Sequence, residues 1–113
     1  MSDQDLQQSY STELRRGSLA IAVLGCLRES YYGYSLLQKL ESVGLPIEAN
    51  TLYPLLRRLE TQGLLTSDWD TSQNRPRKYY LISEKGIRVY DNLCHEWERM
   101  QESLDLIRKE NKE

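Results

Sequence analysis

The chain is 113 residues long, which leaves room for one domain with a modest core and little for a second. Charged residues make up 28% and hydrophobic ones 39%, the balance of an ordinary globular chain and not of a disordered or fibrous one. The net charge is −2, the first residues are polar and acidic with no leader pattern, and the longest apolar run, Leu19 to Leu27, is far too short to span a bilayer. These features point to a cytoplasmic protein with no membrane partner.

Residues 1–11 carry no apolar period and are expected to form a flexible N-terminal arm, frayed or ordered only against a partner. From Thr12, a candidate N-cap, the residues Leu14, Leu19, Ile21, Val23, Leu24 and Leu27 suggest a first helix, with Gly17 and Gly25 as weak points. Tyr31-Tyr32-Gly33 reads as a turn. Tyr34 to Val43 places Leu36, Leu37 and Leu40 on one face of a second helix, which Gly44 ends and Pro46 prevents from resuming. A third helix over residues 49–62 buries Leu52, Leu55, Leu56 and Leu59, spaced by three and four. Pro54 is tolerable there as a residue near the first turn, and Gly63 supplies the stop.

Leu64 to Trp69 and Lys78 to Ile82 read as two strands joined by the polar loop from Asp70 to Arg77. Ser83 then caps a final helix that reaches Lys109. The expected fold is α+β, mostly α. Residues 12–83 form a winged helix-turn-helix with a two-stranded β wing, and residues 84–113 form a long C-terminal dimerisation helix.

A negative chain is a poor match for nucleic acid until its charge is divided. Residues 50–80 hold five basic and three acidic residues, a local excess of +2, while the segments on either side each carry −2. Screening confines surface electrostatics to about 10 Å at moderate salt, so the local excess is what a phosphate backbone would meet. With the leucines turned inward, the third helix leaves Asn50, Thr51, Tyr53, Arg57, Arg58 and Thr61 toward solvent. Asn and Arg can each grip a base edge with two hydrogen bonds, and residues near the N-terminus of such a helix enter the groove first. Asn50, Thr51 and Tyr53 are therefore candidate base readers, and Arg57 and Arg58, a turn later, candidate phosphate contacts. Arg75, Arg77 and Lys78 crowd the end of the wing, where they suit phosphates or the minor groove. Taken alone, each of these polar surfaces would be a solvated face; their adjacency is what favours double-stranded DNA.

Tyr79 and Tyr80 must point to opposite faces of their strand, and Trp69 is expected to close the core between wing and helices. The last helix carries Ile87, Tyr90, Leu93, Trp97, Met100, Leu104 and Ile107 at spacings of three and four, a seam longer than a small winged domain can cover. A second copy of the chain would cover it, giving a two-fold homodimer, with Leu14 and its neighbours as a further contact. At the dimer axis two Trp97 rings would be close. Either they anchor the interface, or they sandwich a flat aromatic ligand by offset stacking.

Other chemistry finds little support. Cys26 and Cys94 lie in apolar helical patterns and read as small buried hydrophobes, with a thiol switch as the alternative. With His95 as the sole histidine and no ligand-spaced cysteines, no metal or other cofactor is implied. An enzyme would need a nucleophile with a base, or paired carboxylates, and neither is present. A winged module that binds protein is the other alternative; its weakness is the basic wing.

Several of these stretches, in this order, resemble the PadR family of bacterial transcriptional regulators. They are Tyr32-Gly33-Tyr34, Thr51-Leu52-Tyr53-Pro54 with Arg58-Leu59-Glu60 and Gly63-Leu64, Arg75-Pro76-Arg77-Lys78-Tyr79-Tyr80, and Ser83-Glu84-Lys85-Gly86. The resemblance spans Leu14 to about Met100 and adds Tyr34 to the candidate DNA contacts. The short single C-terminal helix resembles the compact branch of the family, and Glu96-Trp97-Glu98-Arg99 is similar to the LmrR-type, multidrug-responsive members. That likeness implies a repressor released when a planar aromatic molecule stacks on Trp97 of each subunit, beside Leu93, Met100 and Gln101. Gln101 replaces an acid of the LmrR-type pattern, a departure that bears on which ligands would be preferred.

Overall fold

A computed structural model describes residues 1–112; the expected span of the last segment, 84–113, ends on Glu113, which lies outside the described residues. The elements are α1 (Asp3–Cys26), β1 (Tyr31–Tyr32), α2 (Gly33–Ser42), α3 (Ala49–Thr61), β2 (Leu65–Asp70), β3 (Arg77–Ile82) and α4 (Glu84–Asn111). The three strands form one antiparallel sheet in the order β1-β3-β2.

The expected flexible arm is replaced by helix. Ser2 caps α1 by accepting a hydrogen bond from Asp5 N at 3.0 Å, and Asp3 and Asp5 complement the positive end of the helix dipole. Periodicity gives no hint of this because these residues bury nothing: residues 1–10 are all exposed. Thr12, expected as the N-cap, instead lies inside the helix and donates its hydroxyl to Gln8 O at 3.0 Å.

The core forms where the C-terminal end of α1 meets α2, α3 and the sheet. Val23, Leu24 and Leu27 pack there with Leu36 and Leu40, the α3 stripe Leu52, Leu55, Leu56 and Leu59, and Leu65, Tyr80 and Ile82 from the strands. Both glycine stops fall where expected, through the same device. Gly44 (φ +86°) lets Leu45 N reach Leu40 O at 2.8 Å, and Gly63 (φ +79°) lets Leu64 N reach Leu59 O at 2.9 Å. Each is a Schellman closure, in which a positive φ turns the chain back onto the last helical carbonyls. Pro54 sits in the second turn of α3, not the first, so Asn50 O lacks its helical donor; both residues are exposed, and water can serve that carbonyl.

Tyr31-Tyr32, expected as a turn, forms a strand, with Tyr31 opposite Tyr80 and Tyr32 opposite Tyr79. Two residues are too few to show alternation, and aromatic cross-strand pairing supplies the stability instead. The wing is thus the outer part of a three-stranded sheet. Trp69 departs from expectation as well: it is 63% exposed and closes nothing.

The start of α4 is fastened to the end of α3. Ser83 Oγ accepts from Gly86 N at 3.0 Å and donates to Gly63 O at 2.6 Å, and Lys85 Nζ donates to Gln62 O at 3.1 Å. Gly86 lies against the Leu64 carbonyl with no space for a side chain. After Leu93 the helix runs on without contact to the core.

Candidate nucleic-acid interface

Burial of its four leucines orients α3. Asn50, Thr51, Tyr53, Arg57, Arg58 and Thr61 are exposed, as the stripe demands. Glu48 at the N-cap makes no side-chain hydrogen bond to the first turn. Thr51 N bonds the Glu48 carbonyl at 3.0 Å, which leaves the N–H groups of Ala49 and Asn50 open at the end that would enter a groove, where the helix dipole favours an anion. Tyr53 rests on Gly33: a Cβ at that glycine would overlap the Tyr53 ring, so Gly33 at the start of α2 makes room for a residue of the reading face. Tyr34, beside it in sequence, is exposed.

The wing is clamped to α3 through Glu60. Its carboxylate accepts from Lys78 Nζ at 3.0 Å and from Ser67 Oγ, so α3, β2 and β3 converge on one side chain. Both charged partners are about 30% exposed, and a bridge so close to water contributes on the order of 0–1 kcal/mol. Its importance is geometric, since it fixes the wing's angle to the helix. The Ser67 and Lys78 hydrogen bonds hold the Glu60 carboxyl below the usual carboxylate range, and Glu60 holds Lys78 above the usual ammonium range. For a lowered carboxyl the stabilisation is present above the unfolded-state pKa and lost as pH falls through the folded one. For a raised lysine it is lost only as pH rises through its folded value. The clamp therefore persists through neutrality and opens in acid. Ser67→Ala is expected to raise the Glu60 titration midpoint in carboxyl-detected NMR; an unchanged midpoint would refute the shared hydrogen bonding.

The basic residues of the wing divide into two groups. Arg75 is exposed in the loop, where Asp70 Oδ1 accepts from Ser72 N at 2.9 Å and Ser72 Oγ at 2.6 Å to shape the turn. Arg77 is half-buried, with its guanidinium carbon 4.5 Å from the centroid of the Tyr32 ring, and Tyr32 meets Tyr79 edge-on at 5.4 Å. Arg77 and Lys78 thus have partners inside the protein, whereas Arg57, Arg58 and Arg75 form no ion pair among the described residues. Of the three cations expected on the wing, only Arg75 has neither an ion pair nor a ring contact among the described residues.

Some of the arrangement has no signal in the sequence. Glu60 and Ser67 read as ordinary surface residues until the strands fold back. Arg15 and Arg16 of α1 share with Thr51 a cleft of about 400 Å³, floored by Leu19 and Ile47, which brings two more cations toward the reading end of α3. No spacing rule links residue 15 to residue 51.

The seam of α4 also divides. Leu93 packs on the chain's own core, and Tyr90 does so against Gly25, where a Cβ would come within 2.8 Å of the Tyr90 hydroxyl. Both are partly buried within the chain, where α4 crosses α1. Trp97, Met100, Leu104 and Ile107 remain half or more exposed, as does Leu14 on α1, and Gln101 is exposed. Cys26 and Cys94 are free and half-buried, and burial pushes the Cys26 thiol up. Among the described residues no three His, Cys, Asp or Glu side chains gather as a metal site, and no helix is long and apolar enough to cross a membrane.

Comparison with known proteins gives a consistent picture. The family described as transcriptional regulator PadR-like matches residues 23–92. The chain is 47% identical to a PadR family transcriptional regulator from Eggerthella lenta whose crystal structure superposes with a TM-score of 0.87, covering 92% of this chain and 93% of that one. A PadR-like transcription factor from Bacteroides fragilis superposes with a TM-score of 0.74 at 33% identity, covering 88% and 98%. A transcriptional regulator of Mycobacterium tuberculosis is 32% identical over 75 residues, 66% of this chain and 70% of the relative.

Proposed function

The chain belongs to the PadR-like family of transcriptional regulators, DNA-binding proteins and not enzymes, and from that premise we propose that it is a homodimeric repressor acting on a palindromic operator. The N-terminal turns of α3 read base edges through Asn50, Thr51 and Tyr53, with Tyr34 at the flank. Arg57, Arg58 and Arg75 bind phosphates, and Arg77 and Lys78 hold the wing in place for them. The observation that carries this reading is the set of arginines without ion pairs on α3 and the wing, beside a clamp that fixes one relative to the other. A module that binds protein has no use for such a set.

The exposed stripe from Trp97 to Ile107 supports pairing through α4, and two copies so joined present two reading helices to two half-sites. A planar aromatic effector stacked between the two Trp97 rings would release the operator, provided that it binds the released arrangement more tightly than the DNA-bound one. Because the partner is chromosomal DNA, the protein works in the cytoplasm.

The test is a fluorescence-anisotropy titration on the DNA upstream of the protein's own gene, at several salt concentrations, with an unrelated duplex as control. Wild type should bind tightly, prefer the upstream DNA and weaken steeply with salt. Arg57→Ala/Arg75→Ala should reduce the magnitude of the log–log salt slope by about 0.9 for each phosphate no longer neutralised, and weaken both duplexes alike. Absence of salt-dependent binding to any duplex would overturn the proposal.

A further inference from the structure

Trp69 is the largest side chain on the wing and is left uncovered, 63% exposed. The sheet register says which way it faces. Trp69 stands opposite Lys78, and residues directly opposite in an antiparallel pair share a face. Lys78 turns its ammonium to Glu60 of α3, so Trp69 lies on the α3 side of the wing, two residues along β2 from Ser67, which is bonded to the same Glu60. Ser67 is opposite Tyr80, which is buried. The indole is thus one step beyond the point where the core ends, on the way to the loop that carries Arg75.

The charge around it is sorted by the same alternation. Asp68 and Asp70, the acids of β2, fall on the opposite face of the sheet from Trp69, opposite Tyr79 and Arg77. The α3 side therefore carries an apolar ring next to the Lys78–Glu60 pair, near the end of β2 and the loop that holds Arg75. A bare indole in the net-positive segment of the chain, with the acids of its own strand turned away, is complementary to a polyanion that also has flat apolar parts.

We propose that Trp69 is a DNA contact of the wing, its indole packing on the sugar–base wall of the groove next to the one α3 enters. It supplies an apolar, stacking contribution where the arginines supply the ionic one. The inference rests on the DNA-binding reading above. It assigns to Trp69 a share of affinity that salt does not erode, because no counterion is released when an indole is buried.

The experiment follows two signals in one titration of the full-length protein with a labelled duplex of the upstream DNA: anisotropy of the label and intrinsic tryptophan emission. Wild type, Trp69→Phe and Trp69→Ala are compared, with thermal unfolding of each as a control on folding. Wild-type emission should change on binding, and that change should vanish in Trp69→Phe, which retains Trp97 alone. Trp69→Ala should bind about tenfold more weakly, Trp69→Phe should fall between, and the salt slope should stay as in wild type. Equal affinity of wild type and Trp69→Ala, or an emission change that persists in Trp69→Phe, would overturn the assignment while the DNA-binding reading stands. Failure of wild type to bind any duplex would sink the DNA reading itself, and a protein partner would then be sought for the exposed indole.

Discussion

Gly86→Ala is expected to destabilise the protein by about 2 kcal/mol, the opposite of what helix propensity alone dictates. An alanine in a helix interior gains about 1 kcal/mol over glycine. Here the added methyl would fall onto the Leu64 carbonyl and come within 2.7 Å of Ile82 Cγ1. The first of these is backbone and cannot rotate aside. It also accepts the Ser83 N–H at 3.0 Å, so a shift that relieved the clash would strain the cap of α4. At roughly 4–8 °C per kcal/mol for a domain of this size, the midpoint of thermal unfolding should fall by about 10–15 °C. Gly17→Ala is the matched control, since a Cβ there meets nothing within 4 Å. It should leave the midpoint unchanged or raise it slightly. Equal midpoints for both variants would mean that α4 is free to slide on the sheet.

Met100→Glu/Leu104→Glu is expected to convert the proposed dimer to a monomer and to reduce affinity for its proposed operator by about 10²- to 10⁴-fold. The two side chains are one turn apart on the exposed part of α4, beyond the residues of that helix that pack on the core of their own chain. The fold of the monomer should therefore survive, which circular dichroism would verify. What disappears is the apolar burial between copies, about 1.5–3 kcal/mol for each large side chain fully covered, replaced by four carboxylates at the seam. Two half-sites held by one dimer bind with the advantage of a tether; separate heads forgo it. Light scattering of wild type and variant decides the matter. A wild-type monomer, or a variant that remains dimeric and binds DNA unchanged, would remove α4 as the dimer axis.

The helical core was largely legible in the sequence, for a definite reason. The α3 leucines repeat at helical spacing, and Gly44 and Gly63 occupy the one backbone conformation that closes a helix end cheaply. Ser83 sits where a cap is wanted. The start of α1 was not legible because capping and charge build it, while no face of residues 1–10 is buried. β1 escaped notice because two residues have no period, and its stability comes from tyrosines nearly fifty positions away. The exposure of the candidate residues on α3 was legible in the sequence, and the internal contacts of those on the wing were not. Arg77 and Lys78 look equivalent to Arg75 in the sequence, yet Tyr32 and Glu60 engage them. Trp69 misled for a related reason: hydrophobicity suggests the interior, but the strand continues past the end of the core, and burial ends where the layers do.

The joint between α3 and α4 has a mechanical consequence. Ser83 bonded to Gly63 O, Lys85 bonded to Gln62 O and Gly86 seated on Leu64 leave little freedom between the reading helix and the 28-residue α4. Treated as one lever, the two have a long arm of about 40 Å, which follows from 1.5 Å per residue. In a pair joined along this arm, a tilt of about 5° where the arms cross moves each reading head by roughly 3.5 Å at that length. Successive major grooves on one face of DNA lie about 34 Å apart, so both heads fit only within a narrow span. A small wedge between the arms is then enough to put two intact reading helices out of step with their half-sites. The stiffness of the shoulder, and not any change within the DNA-binding unit, sets how far that displacement carries.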